Sequence, residues 1–194
     1  MRNRLQTEQR ILDAVSAILL QQGYPAVGIN EIARQAGCDK VLIYRYFGGL
    51  EGLLLAFAET TSLWWEVDEI IREDAADCAA IALTDYLETL LGRYVEVLES
   101  RSLALEIMAW EMSEQNGLTR ALARTRSERG MALVKRIREL YHQPNIDIGG
   151  ILGVFGAAIN YLVIRTRKQS KQYKTEEWWR LQQTIRHLLQ AHAE

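Results

Sequence analysis

The chain has 194 residues, 48% hydrophobic and 25% charged, which suits one or two folded domains with a real core and excludes a disordered chain. Its net charge of −2 gives no bulk attraction to a polyanion, and its two cysteines, Cys38 and Cys78, exclude a disulfide framework. The most apolar stretch, "IGGILGVFGAAINYLVI", is interrupted by four glycines and an asparagine and reads as a buried helix, not a membrane span. The opening "MRNRLQTEQR" leads into an amphipathic pattern without the apolar core of a signal peptide, so a cytoplasmic protein with no membrane partner is expected. Charge is uneven: residues 1–49 carry +2 and the remainder −4.

Periodicity is helical almost throughout, and the expected class is all-α. Ile11, Val15, Ile18 and Leu19 form one apolar stripe on a helix from about Thr7, a plausible N-cap, to Gln22. Gly23 and Pro25 end it. A second helix spans about Asn30 to Ala36 and stops at Gly37. Asp39 caps a third, about Lys40 to Tyr46, which "FGG" closes. A fourth runs from Leu50 toward Trp65, followed by helical patterns at about 75–99, 102–114, 117–141, 148–168 and 175–192.

Two short helices around "GCD", buttressed by the first, make a helix-turn-helix candidate. The start of the third helix offers backbone N–H groups and a positive dipole end. Tyr44 and Tyr46 bring hydroxyl donors, Lys40 and Arg45 bring charge, and Ile43 and Phe47 should face inward. Val41 and Leu42 join the outer face and rim. A tight helical hairpin packed in a core would show the same pattern.

The stretch "TEQRILDAVSAILLQQGYPAVGINEIARQAGCDKVLIYRYFGGLEGLLLAF" resembles the DNA-binding region of TetR/AcrR-type repressors, through "RILDA", "GY", "IARQAG" and "KVLIYRYF" in order and spacing. The resemblance covers about a quarter of the chain. It implies an N-terminal three-helix helix-turn-helix DNA-binding domain at 1–50 and a C-terminal helical ligand-binding and dimerisation domain at 51–194. It further implies a homodimeric repressor that binds an inverted-repeat double-stranded DNA operator and is released by a small molecule. By this resemblance Lys40, Val41, Leu42, Tyr44 and Tyr46 take the recognition-helix positions, with the tyrosines on phosphate and Val41 and Leu42 toward base edges. Asn30 sits where a base can be reached. Gly28 stands where a capping threonine is common and Leu50 where a lysine is common, so two backbone contacts are in question. Arg2 and Arg4 read either as a minor-groove arm or as a frayed terminus.

In the remainder, Trp64, Trp65, Tyr86, Met108, Trp110 and Met112 are pocket candidates for a small, largely apolar effector, although such residues also build cores. Trp64 and Trp65 are expected to end the fourth helix. Glu106 and Glu111 nearby would suit a cationic group, or are surface carboxylates. The last two helices resemble the family's four-helix dimer interface. Gly153, Gly156 and Ala157 lower one ridge for close approach, by a partner or within the chain, and Trp178, Ile185 and Leu189 add apolar surface. The basic link at 165–174 reads as a solvated loop. Two rivals remain. Glu139 and His142 have the spacing of a dimetal carboxylate bundle but lack the second copy it needs, and His187 and His192 do not share a face. Cys38 is a redox candidate or a small buried filler. No catalytic motif, metal site or cofactor is expected.

Overall fold

The computed structural model describes residues 2–60, 63–142, 146–169 and 171–190, so Pro144 and His192 lie outside the described residues. The helices are α1 (Arg2–Gln22), α2 (Ile29–Ala36), α3 (Lys40–Phe47), α4 (Leu50–Thr60), α5 (Val67–Ile70), α6 (Ala75–Cys78), α7 (Leu83–Glu99), α8 (Ser102–Glu111), α9 (Gly117–Leu140), α10 (Ile148–Thr166) and α11 (Lys171–Gln190), with a 3-10 turn at Tyr24–Ala26. No strand occurs among the described residues, as expected for an all-α chain. Contacts divide the chain into two units, one of residues 1–64 and 102–125, the other of 65–101 and 126–194. A functional division at residue 50 cuts across them, because α4 and α8 group with the N-terminal helices.

The first unit is organised by α1. Ile11, Val15, Ile18 and Leu19 are at most 2% exposed, so the stripe is the core as the periodicity indicated. Against it lie Ile32 of α2, Ile43 of α3, and Leu53 and Phe57 of α4, all at most 1% exposed. Thr7 does not cap the helix. The helix begins at Arg2, and Thr7 is buried in it. At the other end of α1, Tyr24 stacks on Trp110 of α8 with ring centres 3.4 Å apart and planes 20° from parallel. The Asn116 side chain reaches the Tyr24 hydroxyl at 3.5 Å.

The turn from α3 into α4 is the tightest in this unit. The two helices meet at 64° across "FGG". Gly48 closes α3 through its N–H to the Tyr44 carbonyl at 2.9 Å, and Gly49 takes φ 129°, a region that L side chains rarely adopt. Gly52, one turn later, has no room for a side chain: a Cβ there would overlap the Phe47 carbonyl oxygen. The fourth helix is shorter than expected and ends at Thr60, so Trp64 and Trp65 stand beyond it in a non-helical segment.

The second unit is built on α7, which packs against α5, α10 and α11. Tyr86, Leu87, Leu90 and Leu98 of α7, Ile137 of α9, Ile148 and Ile159 of α10 and Ile185 of α11 are at most 1% exposed. The expected helix at 75–99 is broken at Ala79–Ala82. Asp74 caps a single turn by accepting the N–H groups of Ala76 and Asp77 (2.8 and 3.0 Å), and α7 restarts after Ala82. The Tyr141 hydroxyl donates to the Ile81 carbonyl at 3.1 Å, which satisfies one backbone group exposed by that break. Three acids on the segment before it each take an arginine: Glu66 pairs with Arg129, Glu69 with Arg101 at 2.6 Å, and Glu73 with Arg93 through two bonds of 2.8 and 2.6 Å. Helix α10 runs to Thr166 and the final helix starts at Lys171, so six of the ten residues of the expected basic loop are helical.

Two outcomes follow for stability. Gly52→Ala must push α4 off the end of α3, and overpacking of this kind costs about 1–3 kcal/mol; thermal melts should show the loss, whereas an unchanged melting temperature would mean the turn can relax. Hydrogen bonding to Arg93 holds the Glu73 carboxyl down at about 2. A carboxylate held below its unfolded value contributes stability that is complete above about pH 4.5 and is lost as pH falls toward 2. Wild type should therefore lose melting temperature more steeply than Glu73→Gln between those limits, and equal slopes would exclude the pair as the cause.

Candidate nucleic-acid interface

Helix α2 carries its apolar residues Ile32, Ala33 and Ala36 inward and ends at Gly37, whose N–H bonds to the Arg34 carbonyl at 3.2 Å. The Cys38 N–H donates to Ala33 at 3.0 Å, closing the turn that aims α3. Asp39 then caps α3 by accepting the Val41 N–H at 2.8 Å. A carboxylate therefore already faces the positive end of the α3 dipole, so this helix start is a poorer anion site than a bare N-terminus. The start of α2 has the reverse arrangement, because Gly28 caps it without a side chain.

Of the eight residues of α3, only Ile43 is buried. Lys40, Val41, Tyr44 and Arg45 are exposed, and their spacing of i, i+1, i+4 and i+5 puts them on one face. Val41 is 60% and Tyr44 54% exposed, and α3 contains no acid to offset its two cations. Asn30 is exposed on the first turn of α2. Glu31 bridges helices by accepting from Gln22 of α1 at 3.2 Å and from Arg34 at 2.8 Å, and these bonds hold its carboxyl at about 2.

Three residues differ from the expectation. Leu42 and Tyr46 are half-buried, and so is Phe47, which was expected inside. Tyr46 lies under the guanidinium of Arg4, 5.1 Å from its ring centre. Arg4 is therefore part of regular helix, neither a free arm nor a frayed end. Cys38 is half-buried, and burial pushes its thiol up, away from the thiolate a redox sensor needs.

The pocket candidates fall in both units. Trp64, Met108, Trp110 and Met112 belong to the first, Trp65 and Tyr86 to the second. All but Met112 are at most 5% exposed, while Met112 is 64% exposed. Trp110 is held by its stack on Tyr24, and Trp65 meets Tyr94 edge-on at 5.5 Å. Tyr94 donates to the Asn160 side chain at 2.8 Å. Tyr86 donates to Glu73 at 3.1 Å, and burial and that carboxylate keep its hydroxyl protonated. Glu139 of the dimetal reading forms loose ion pairs with Lys135 and Arg136 on its own helix.

The interface candidates also separate. Gly153 and Ala157 are exposed and Gly156 is half-buried; a Cβ at either glycine would meet nothing within 4 Å. Ile185 and Leu189 are 1% and 5% exposed, so they serve the chain's own core, and Trp178 is half-buried beside Ile159 and Val163. Val154, Tyr161, Trp179 and Leu188 are 49–69% exposed, and sequence reasoning missed the first two. Nor is α10 a buried helix: its apolar window has mean hydropathy 1.6, is long and apolar enough to cross a membrane, and is 28% buried.

Residues 11–57 match the family model described as bacterial regulatory proteins, tetR family. An HTH-type transcriptional regulator of Mycobacterium tuberculosis strain CDC 1551, itself uncharacterized, is 42% identical over 60 residues, 30% of each chain. The match thus spans under a third of that relative's length. The fold is similar to a protein of Mesorhizobium loti MAFF303099 described as a TetR-family transcriptional regulator, with TM-score 0.64, 20% identity and coverage of 97% and 95% of the two chains. It is also similar to NalD of Pseudomonas aeruginosa, described as the secondary repressor of the MexAB-OprM multidrug efflux pump, with TM-score 0.57, 15% identity and coverage of 95% and 96%. Residues 11–57 thus carry the helix-turn-helix region of the tetR family of bacterial regulatory proteins, and α3, its second helix, turns an acid-free face outward.

Proposed function

We propose that this protein is a homodimeric transcriptional repressor that binds an inverted-repeat operator through α2 and α3 and is released by a small molecule. The observation that carries the reading is the outward face of α3, where Lys40 and Arg45 flank exposed Val41 and Tyr44. The cations and the Tyr44 hydroxyl serve the phosphate backbone, which fixes register without reading sequence. Val41 suits thymine methyl groups, and the Asn30 amide suits adenine. Leu42 contributes less, from its half-buried position.

Dimerisation is supported by α10. Each glycine in a helix costs about 1 kcal/mol relative to alanine, yet nothing among the described residues needs the missing Cβ of Gly153 or Gly156. Together with exposed Val154, Ala157 and Tyr161 they form an apolar strip that a second copy can cover. In such a dimer two recognition helices about one DNA turn apart, roughly 34–36 Å, meet successive major grooves.

For the effector we infer a small, largely apolar molecule, with a cationic group matched by Glu106 or Glu111 as the variant reading. The candidate tryptophans are at most 5% exposed, so an effector that touches one of them is enclosed by protein. A 100-fold preference for the released state corresponds to about 2.7 kcal/mol of coupling.

Selection of bound fragments from random duplex DNA, at stated salt, should enrich an inverted repeat; binding with no enriched motif would leave a nonspecific DNA binder. Tyr44→Phe should weaken binding to all duplexes alike, and altered sequence preference in that variant would instead place Tyr44 on a base. Ala157→Glu, at an exposed position, should yield folded monomer by light scattering and lose operator affinity. A persistent dimer would move the interface elsewhere.

A further inference from the structure

We propose that Arg4 is itself a DNA-backbone contact, with Tyr46 as the platform that holds it in place; the proposal rests on the DNA-binding reading above. Four observations converge. Arg4 lies on the first turns of α1, so the helix fixes its origin. Its guanidinium sits over the Tyr46 ring at 5.1 Å, a cation–π distance. Its Nε donates to Glu8 at 2.8 Å, which leaves its terminal nitrogens, and these make no further hydrogen bond among the described residues. The side chain is nonetheless 61% exposed.

An arginine fixed at both ring face and Nε, with its outer edge in solvent, is pre-organised for a phosphate. The planar fork matches two phosphate oxygens, and little rotamer freedom remains to be lost. The location fits as well. Tyr46 is the next residue after Arg45 on α3, about 100° further round the helix, so the Arg4 cation stands at the flank of the exposed face. This exchanges the role expected of Tyr46. Half-buried, it supports the contact with its ring, and its hydroxyl is dispensable.

The test is fluorescence anisotropy with two labelled duplexes, the enriched one and one of mixed sequence, across a salt series. Arg4→Ala and Arg4→Gln should weaken binding to both by about tenfold and lower the salt slope by about one per protomer. Tyr46→Phe should bind like wild type, while Tyr46→Leu should reproduce Arg4→Ala. Thermal melts of each variant separate lost contact from lost fold, and Arg4→Gln keeps a good helix former where Arg4→Ala also shortens the side chain. A wild-type salt slope in both Arg4 variants would overturn the proposal, as would Tyr46→Phe binding as weakly as Arg4→Ala, since the hydroxyl would then be the contact. If wild type binds neither duplex, the DNA-binding reading fails first and this proposal with it.

Discussion

The contact on which the N-terminal unit depends is the approach of Gly52 to the last carbonyl of α3. That carbonyl has no intrahelical partner, so the chain must turn sharply there while keeping α4 close enough to bury Leu53 and Phe57. A side chain at residue 52 would separate the two helices. With α3 fixed at its C-terminal end by this turn and at its N-terminal end by Asp39, only its roll about Ile43 is left. Burial of that one isoleucine sets which four side chains look outward. The outward face of α3 is thus determined by residues that are not part of it.

The second unit solves a different problem, that of an acidic segment between two helical regions. Glu66, Glu69 and Glu73 recur at nearly helical spacing, and each is matched by an arginine from α9, from the residue after Ser100, or from α7. Each of these pairs is neutral, so the net −4 beyond residue 49 resides on other side chains. Pairs this close to solvent add modest stability individually, but three on one short segment restrict how it can move. Trp65 stands at the head of the segment against Tyr94, so the restriction extends to a buried aromatic pair.

How much of this was legible depended on where the chain carries punctuation. Gly23, Gly37, Asp39 and "FGG" bound short elements with residues whose backbone preferences are strong, and α2 and α3 fell within a residue of the expected limits. The ends of α4 and of the 75–99 pattern carry no such marks. "AAIA" is good helix sequence, and the bond that holds its Ile81 carbonyl comes from the hydroxyl of Tyr141, sixty residues away. Apolar spacing on α11 showed that Ile185 and Leu189 share a face but not whether that face meets its own core or a neighbour. Exposure distinguished the two. Arg4 on Tyr46 was invisible for the same reason, since no local pattern links residues so far apart in the chain.

The interleaving of the two units has a consequence for synthesis. Unit one needs α8 and the first turns of α9, so it cannot close until residue 125 has been made, and by then 65–101 of unit two already exist without their partners. The helix-turn-helix emerges from the ribosome first yet must wait for Trp110 to cover Tyr24. Neither unit is a contiguous stretch that could be excised, moved or duplicated by a simple gene fusion. Recombination that swaps an N-terminal segment of such a chain therefore has to carry a matching α8 with it.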